Sequence, residues 1–265
     1  MTKKADFLAS ARRTIQLETE AVKDLENHLD GDFQHACELM SQCTGRIIVT
    51  GMGKSGHIGR KIAATLASTG TPAFFVHPGE ASHGDLGMFT SEDVVLALSN
   101  SGETAEIVTI LPLIKRMNAP LISMTAKPDS NLSRAADANL HIGVEKEACP
   151  LNLAPTSSTT AQLVMGDALA IALLETKGFS KEDFAFSHPG GSLGRQLLLK
   201  VENVMHSGND VPCVKEGTSL HNALFEVTQK RLGMTAVLNE AGVVTGVFTD
   251  GDLRRALDHE VNLKG

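Results

Sequence analysis

The sequence contains no tryptophan and no tyrosine, and its excess charge is acidic rather than basic. Among 265 residues, 31 are Asp or Glu and 24 are Lys or Arg, which gives a formal net charge of −7. Nucleic-acid-binding proteins need a basic face to neutralise phosphates, and single-strand binders add aromatic side chains on which bases stack. We therefore expect no nucleic-acid partner, although a small basic pocket for one phosphate group is compatible with this composition.

Paired cysteines and long apolar runs are also missing. The four cysteines, Cys37, Cys43, Cys149 and Cys213, show no C-x-x-C spacing, so we expect free thiols in a reducing compartment. Residues 1–22 contain no apolar core of a signal peptide. No stretch reaches the roughly 18 apolar residues of a membrane span. We predict a cytoplasmic protein without a membrane partner.

Short apolar segments alternate with helical ones over the first three quarters of the chain. Residues 5–43 have apolar side chains at helical spacing, with a break at 30–32. Alternation of this kind is typical of a parallel sheet covered by helices on both faces, so the predicted fold class is α/β. The predicted strands are 46–50, 72–77, 93–99, 120–126 and 138–144, and the helices that follow the first break are 57–69, 105–117, 131–136 and 157–177.

The pattern changes near residue 200. A helix at 219–231, strands at 235–239 and 243–249, and a helix beginning with DGDLRRAL indicate a small β-α-β-β-α unit. We predict domains at 1–200 and 201–265. The second is small for an independent hydrophobic core, so we expect it to pair with another copy or with a second half.

Residues 51–56 read GMGKSG, which matches G-x-G-x-x-G and ends like a phosphate-binding P-loop. A full P-loop would have glycine where Ile48 stands, and a dinucleotide site would have an acidic residue where the next strand ends at His77. Nicotinamide and flavin cofactors are therefore disfavoured. A glycine-rich turn into a helix N-terminus still favours an anion, and Lys54 and Ser55 would add a cation and a hydroxyl. The alternative is a tight turn with an exposed lysine.

A second turn with similar properties follows the third predicted strand. The segment ALSNSGETAEI places Ser99, Ser101 and Thr104 around Gly102, where a helix begins. Three hydroxyls with backbone amides form a neutral cradle for a phosphate, whereas a simple helix cap requires only one of them. Two such turns in one open sheet indicate a crevice at the carboxyl ends of the strands.

Several longer segments resemble the arabinose-5-phosphate isomerases of Gram-negative bacteria, from about residue 5 to the last. They are GMGKSGHIGRK, HPGEASHGDLGM, SNSGET, EACPLNLAPTSSTTAQLVMGDALA and SHPGGSLGR. The resemblance implies a flavodoxin-like sugar isomerase (SIS) domain followed by a pair of CBS motifs. It also implies reversible conversion of ribulose 5-phosphate to arabinose 5-phosphate, a place in Kdo and lipopolysaccharide synthesis, and a homotetramer. Only the first CBS motif is matched, so we expect a partial, truncated CBS segment.

An aldose–ketose conversion through an enediol requires a base for a carbon-bound proton. Glu147 follows the fifth predicted strand and would serve best if burial raised its pKa; the alternative is a surface glutamate. Glu106, in the first turn of a helix, could simply complement the helix dipole. The family resemblance implies that Glu147 is catalytic and that Glu106 is catalytic or orienting. Lys54 is the electrostatic partner that we expect for the phosphate or the enediolate.

Histidines and two loop residues complete the expected site. The resemblance implies that His188, in a glycine-rich loop, acts in ring opening, either within its own subunit or across a subunit interface; the alternative is a solvated loop histidine. Related enzymes bind an inhibitory zinc ion near His77, which lacks the partners of a zinc motif, and we expect catalysis to need no metal. His83, together with Gly70 and Thr71, is expected to line the sugar pocket.

Ser157 and Ser158, at the start of the long helix, either cap that helix or lend hydroxyls to the substrate. Thr249, Asp250 and Asp252 match the T-x-x-D end of CBS motifs, which touches nucleotide ribose in complete pairs. The alternative there is a dimerising hairpin and helix.

The main rival is a sugar-phosphate sensor without turnover, although the sequence offers no basic recognition helix. A further alternative is a paralogue with the same activity that serves capsule or sugar-alcohol metabolism.

Overall fold

The computed structural model describes residues 6–187 and 190–258, and contacts divide the chain into two units. The first unit is Met1–Leu198 and the second is Leu199–Gly265. The two are described separately.

The centre of the first unit is a five-stranded sheet in the order β2-β1-β3-β4-β5, in which every neighbouring pair is parallel. This is the strand order of flavodoxin-like folds. The prediction of an α/β fold with a parallel sheet is confirmed. The strands are β1 Ile47–Gly51, β2 Ala73–Val76, β3 Val94–Leu98, β4 Leu121–Thr125 and β5 Ala138–His141.

Helices cover both faces of this sheet because its strands are apolar on both sides. In β1, Ile47 and Val49 pack into one core together with side chains of α2, α3 and α7, and Ile48 packs into the other with side chains of α4, α5 and α6. The helices are α1 Phe7–Asp24, α2 Gly31–Ser41, α3 Gly53–Ser68, α4 Pro78–Ala81, α5 Ala105–Arg116, α6 Asn131–Ala135, α7 Ser157–Lys177, α8 Lys181–Ser187 and α9 Ser192–Leu198. Short 3-10 turns lie at Leu25–His28, Asp85–Met88, Val201–Asn203 and Gly208–Asp210.

Helix α7 packs in the interior of the first unit, against α1, α2 and α3. Among the described residues it is the single helix whose length and composition would also suit a membrane span, and half of its most apolar window is buried within the chain. Core helices of soluble proteins share this composition. Its buried face, which includes Met165, Leu169 and Leu173, accounts for its hydrophobicity.

The second unit contains a three-stranded sheet in the order β6-β7-β8. Its elements are β6 Cys213–Lys215, α10 Leu220–Lys230, β7 Met234–Leu238, β8 Val244–Thr249 and α11 Asp250–Asp258. Strands β6 and β7 are parallel, and β7 and β8 form an antiparallel hairpin. This is a β-α-β-β-α arrangement. Its first strand, only three residues long, has too little apolar patterning to be located from the sequence.

Candidate active site

The sheet order creates a crevice between the loops that leave β1 and β3. These two strands are neighbours, yet the chain crosses from β1 to β2 on one side and from β3 to β4 on the other. The loops after them therefore diverge, and open α/β sheets bind ligands at such a point. The GMGKSG loop and the Ser99–Thr104 loop are the two that border this crevice.

The loop after β1 leads at once into α3, which begins at Gly53 rather than at residue 57 as predicted. No side chain in residues 6–187 or 190–258 caps this helix start. Gly56 allows a close approach of helix and strand, because a Cβ there would lie 2.5 Å from the carbonyl oxygen of Gly51. Lys54 is exposed in the first turn, and its ammonium has no ion-pair partner among the described residues. This end of α3 is therefore open to an anion.

The loop after β3 turns two of its three hydroxyls, those of Ser99 and Thr104, toward each other. Ser99 is 2% exposed, and its Oγ lies 2.7 Å from Thr104 Oγ1 and accepts a hydrogen bond of 3.0 Å from the Gly102 amide. Thr104 stands at the N-cap of α5, but its side chain makes no capping hydrogen bond to the helix. Within the described part of the chain, the first amides of α5, those of Ala105 and Glu106, are thus left open at the crevice, as are those of Lys54 and Ser55 in α3.

Two further contacts, not anticipated from the sequence, hold this loop in place. Gly102 has φ +66°, and a Cβ on it would lie 2.0 Å from Ser130 Oγ. The Glu103 carboxylate accepts hydrogen bonds of 2.8 and 2.6 Å from the backbone amide and side chain of Asn131, at the start of α6. These hydrogen bonds lower the pKa of Glu103. The cradle is therefore tied to the loop after β4.

Glu106 lies in the first turn of α5 and is half-buried. Its carboxylate has no hydrogen-bond or ion-pair partner among the residues that the structure describes. All its lone pairs are consequently available to a ligand. A half-buried carboxylate beside open helix amides is suited to taking a proton from a substrate held there.

Glu147 is placed very differently, because it caps α7. Its Oε2 accepts hydrogen bonds from the Thr156 amide at 2.7 Å, the Thr156 hydroxyl at 3.1 Å and the Ser158 amide at 3.2 Å. Its Oε1 accepts a short hydrogen bond from the Ser158 hydroxyl. The Glu147 amide donates to Asn152 Oδ1 at 2.7 Å, which fixes the turn that carries it.

The pKa of Glu147 is lowered, whereas a pKa raised by burial would favour this carboxyl as the base. Partial burial raises the pKa of this carboxyl, but the hydrogen bonds from Ser158 and Thr156 favour the charged form and outweigh burial. The condition under which Glu147 would serve best as the base is therefore not met. A cleft of about 250 Å³ nevertheless joins Glu147 to Asn100, the residue after Ser99 in the crevice loop.

Comparison with known proteins agrees with this geometry. Residues 39–172 match the SIS domain family model, and residues 201–259 match the CBS domain model. The chain is 66% identical over 264 residues to the arabinose 5-phosphate isomerase KdsD of Pseudomonas aeruginosa, covering 100% of this chain and 81% of that protein. It is 57% identical to the KdsD protein of Escherichia coli K12, covering 98% of this chain and 79% of that protein.

A solved structure, Escherichia coli CFT073 c3406 in complex with A5P, matches with a TM-score of 0.68 and 45% identity. The match covers 71% of this chain and all of that one. The chain belongs to the arabinose 5-phosphate isomerase family. The resemblance that the sequence motifs predicted is confirmed, and so is the SIS fold with a CBS region.

Not every expected residue joins the crevice of this isomerase-family chain. Gly70 and Thr71 lie between the end of α3 and the start of β2, at the amino edge of the sheet. The Thr71 hydroxyl accepts a hydrogen bond of 3.0 Å from Lys177, at the far end of α7 from Glu147. Within one chain these two residues are at the opposite edge from Lys54, so their contribution to sugar binding stays a prediction.

The three histidines expected in the isomerase site differ in what the structure says of their surroundings. His77 follows β2 at the crevice edge, where its Nδ1 accepts a hydrogen bond of 3.3 Å from the Gly79 amide and caps α4. His83 is exposed after α4. His188 lies outside the described residues. Among those described, no group of three His, Cys, Asp or Glu side chains could hold a metal, so His77 lacks a full zinc ligand set and we derive no step through a metal.

Ser157 and Ser158 do not present hydroxyls to a substrate phosphate in this structure. Ser158 donates to Glu147, and Ser157 is 0% exposed with an Oγ that has no partner among the described residues.

In the CBS region, Asp252 Oδ2 accepts hydrogen bonds from the amide and the hydroxyl of Thr249 at 2.9 and 2.8 Å, and these hydrogen bonds lower the pKa of Asp252. These two residues fix the start of α11.

Proposed function

We propose that the chain interconverts D-ribulose 5-phosphate and D-arabinose 5-phosphate through an enediol. The observation that carries this proposal is the half-buried carboxylate of Glu106, which has no partner among the described residues and lies beside two helix starts that no described side chain caps. The family relationship supplies the substrate, since the curated relatives are named for it. The reaction would stand at the first step toward Kdo for lipopolysaccharide, or in a paralogous capsule or sugar-alcohol pathway.

The phosphate binds at the first turns of α3 and α5. Uncapped amides and the positive ends of two helix dipoles converge there, because β1 and β3 are adjacent. Ser101 and Ser55 add hydroxyls at the same two turns. Lys54 supplies a mobile ammonium that neutralises phosphate charge or stabilises the developing enediolate oxygen.

Glu106 takes the proton from C2 of the aldose and returns it to C1 of the enediol. In the reverse direction it removes a C1 proton of the ketose. A positioned base of this kind contributes about 10²–10⁴-fold to the rate. Glu147 moves the proton between O1 and O2, an assignment that depends on the family resemblance as well as on the position of Glu147 at the cleft. His188 assists ring opening, an assignment that depends on the family resemblance alone.

The test is a product assay with purified protein against a panel of pentose and hexose phosphates, run in D₂O. We expect conversion of arabinose 5-phosphate and ribulose 5-phosphate, with deuterium entering at the carbon that gains the proton. Binding of these sugars without any conversion would instead support a sugar-phosphate sensor and contradict the proposal.

We also propose a cytoplasmic homotetramer, with a nucleotide bound by a complete CBS pair. Self-association is supported by α1, which buries none of its residues. Large apolar side chains are exposed on the first unit: Phe7, Leu8, Ile15, Leu151 and Leu153. Light scattering with Ile15→Lys and Leu153→Lys variants tests this, and a monomeric wild type would contradict it.

A further inference from the structure

Asn100 combines a main chain that is fixed with a side chain that is available to a ligand. Its carbonyl oxygen accepts hydrogen bonds of 3.0 Å from the Ala126 amide and 3.2 Å from the Thr125 hydroxyl, at the end of β4. The side chain is exposed, and its amide group has no hydrogen-bond partner among residues 6–187 and 190–258. The backbone of this loop therefore holds in place an amide that the described chain does not use.

The position of Asn100 in the loop after β3 directs its side chain toward the α7 side of the sheet. Successive side chains of a strand point to opposite faces. Leu98 packs into the core that includes α7 side chains, whereas Ser99 contacts Thr104 at the start of α5. Asn100 follows Leu98 by two positions, and it lines the same cleft of about 250 Å³ as Glu147.

This cleft contains a second asparagine, which has a structural role. Oδ1 of Asn152 accepts a hydrogen bond of 2.7 Å from the Glu147 amide and so fixes the turn that carries Glu147. The Asn100 amide makes no such contact within the described part of the chain. Its two N–H donors and its oxygen are therefore free for a ligand in the cleft.

The chemistry of that ligand follows from the two ends of the cleft. Asn100 stands between Ser99 and Ser101 of the proposed phosphate cradle, and the cleft extends to Glu147, which is proposed to act at O1 and O2. In an open-chain pentose 5-phosphate, the groups between these ends are the hydroxyls on C3 and C4. A hydroxyl both donates and accepts hydrogen bonds, as a primary amide does. A neutral amide also adds no negative charge beside the phosphate, as a carboxylate would.

We infer that the side-chain amide of Asn100 binds a hydroxyl of the C3–C4 segment of the sugar, and that this contact selects hydroxylated sugar phosphates over other phosphate monoesters. Asn100 is thus a specificity-determining residue that recognises the sugar, next to serines that bind its phosphate. The inference rests on the proposed function and deepens it, because it separates recognition of the carbon chain from recognition of the anion.

The test is a calorimetric titration of wild type and Asn100→Ala with inorganic phosphate, ethyl phosphate and D-arabinitol 5-phosphate. The first two ligands have no hydroxyl on a carbon chain, and the third carries the sugar hydroxyls but has no carbonyl to isomerise. We expect Asn100→Ala to raise the Kd of arabinitol 5-phosphate about tenfold, the effect of one lost hydrogen bond. The Kd values of the other two ligands should stay within about twofold. The kcat/KM for arabinose 5-phosphate should fall by the same factor as arabinitol 5-phosphate affinity.

Two further asparagines provide controls. Asn222→Ala removes an exposed α10 side chain that is likewise unpartnered among the described residues, so it should change no Kd. Asn152→Ala should lower Tm, because a structural hydrogen bond is lost, whereas Asn100→Ala should leave Tm unchanged.

An unchanged Kd of arabinitol 5-phosphate in Asn100→Ala would overturn the inference. An equal rise in all three Kd values would also overturn it, because the phosphate cradle itself would then have been deformed. A wild-type protein that binds arabinitol 5-phosphate but converts neither pentose phosphate would instead contradict the proposed function. The two failures are therefore distinguishable.

Discussion

Helices α5 and α7 begin at the same edge of the sheet, but their first turns are satisfied in opposite ways. At α7 the chain supplies its own anion, because Glu147 accepts two backbone amides and two hydroxyls. At α5 the N-cap hydroxyl of Thr104 is engaged by Ser99 and makes no capping hydrogen bond. One helix start is closed by an internal carboxylate and the other is open.

This difference shows which helix end can accept a substrate phosphate. A phosphate at α7 would have to displace or sit beside the negative charge of Glu147, which is unfavourable. At α5 it would complete the unsatisfied amides and the helix dipole. The two carboxylates also differ in how far they are available to a ligand. Glu106 has no partner within the described residues, whereas both oxygens of Glu147 already accept hydrogen bonds.

The largest expected effect comes from neutralising the unpartnered carboxylate. Glu106→Gln should lower kcat by about 10²–10⁴-fold and leave Tm unchanged or slightly raised, because no hydrogen bond is lost. Steady-state kinetics and thermal melting measure the two quantities. Glu175→Gln, an exposed change near the other end of α7, is the matched control. A Glu106→Gln variant with near-normal kcat would remove Glu106 as the base.

Gly102→Ala tests whether the open turn requires its present shape. The new Cβ would meet Ser130 Oγ, and φ is +66°. We expect destabilisation of about 1–3 kcal/mol and a KM raised tenfold or more, because the cradle must move. Gly178→Ala has a similar φ of +63° with nothing near its Cβ, so it controls for backbone strain alone. Equal KM values for the two variants would contradict the assignment of the cradle.

The sheet was predictable because each buried parallel strand is an apolar run bounded by turn residues, and all five appear at the expected places. The two crevice turns were predictable from their glycines and hydroxyls. The position of Gly70 and Thr71 away from Lys54 could also have been deduced, since a segment between a helix and the next parallel strand lies at the amino edge of the sheet.

The role of Glu147 as a helix cap was not predictable in the same way. The contact joins residues nine to eleven apart through an irregular turn that includes Asn152 at φ +52°. Neither helical nor strand periodicity marks such a turn. The direction of the Glu147 pKa shift follows from those contacts, which the crevice position alone did not reveal.

Glu147→Gln should affect stability as well as catalysis, unlike Glu106→Gln. It removes a charged cap, for which we expect a loss of about 1 kcal/mol. Because the folded-state pKa of Glu147 lies below its ordinary value of 4.5, the stabilisation is present above that pH and is lost as pH falls through the folded-state pKa. The stability difference between wild type and variant, measured by urea unfolding, should therefore shrink as the pH falls below 4.5. A difference independent of pH would contradict the capping interpretation.

The smallest effects are expected from replacing one serine at each of the two helix starts, Ser101 before α5 and Ser157 in α7. Ser101 is exposed in the open turn, where its hydroxyl accepts a hydrogen bond of 3.2 Å from the Glu103 amide and faces the proposed phosphate. Ser157, the first residue of α7, is buried at the closed helix start. Ser101→Ala should raise KM a few-fold and raise the Ki of inorganic phosphate equally, since one donor to the anion is lost. Ser157→Ala should leave both constants within about twofold, because the phosphate does not reach α7, and should change stability little, because its hydroxyl is unpartnered among the described residues. The reverse result, a phosphate Ki sensitive to Ser157 and indifferent to Ser101, would mean that the anion sits at α7 and that Glu147 yields its cap to the substrate.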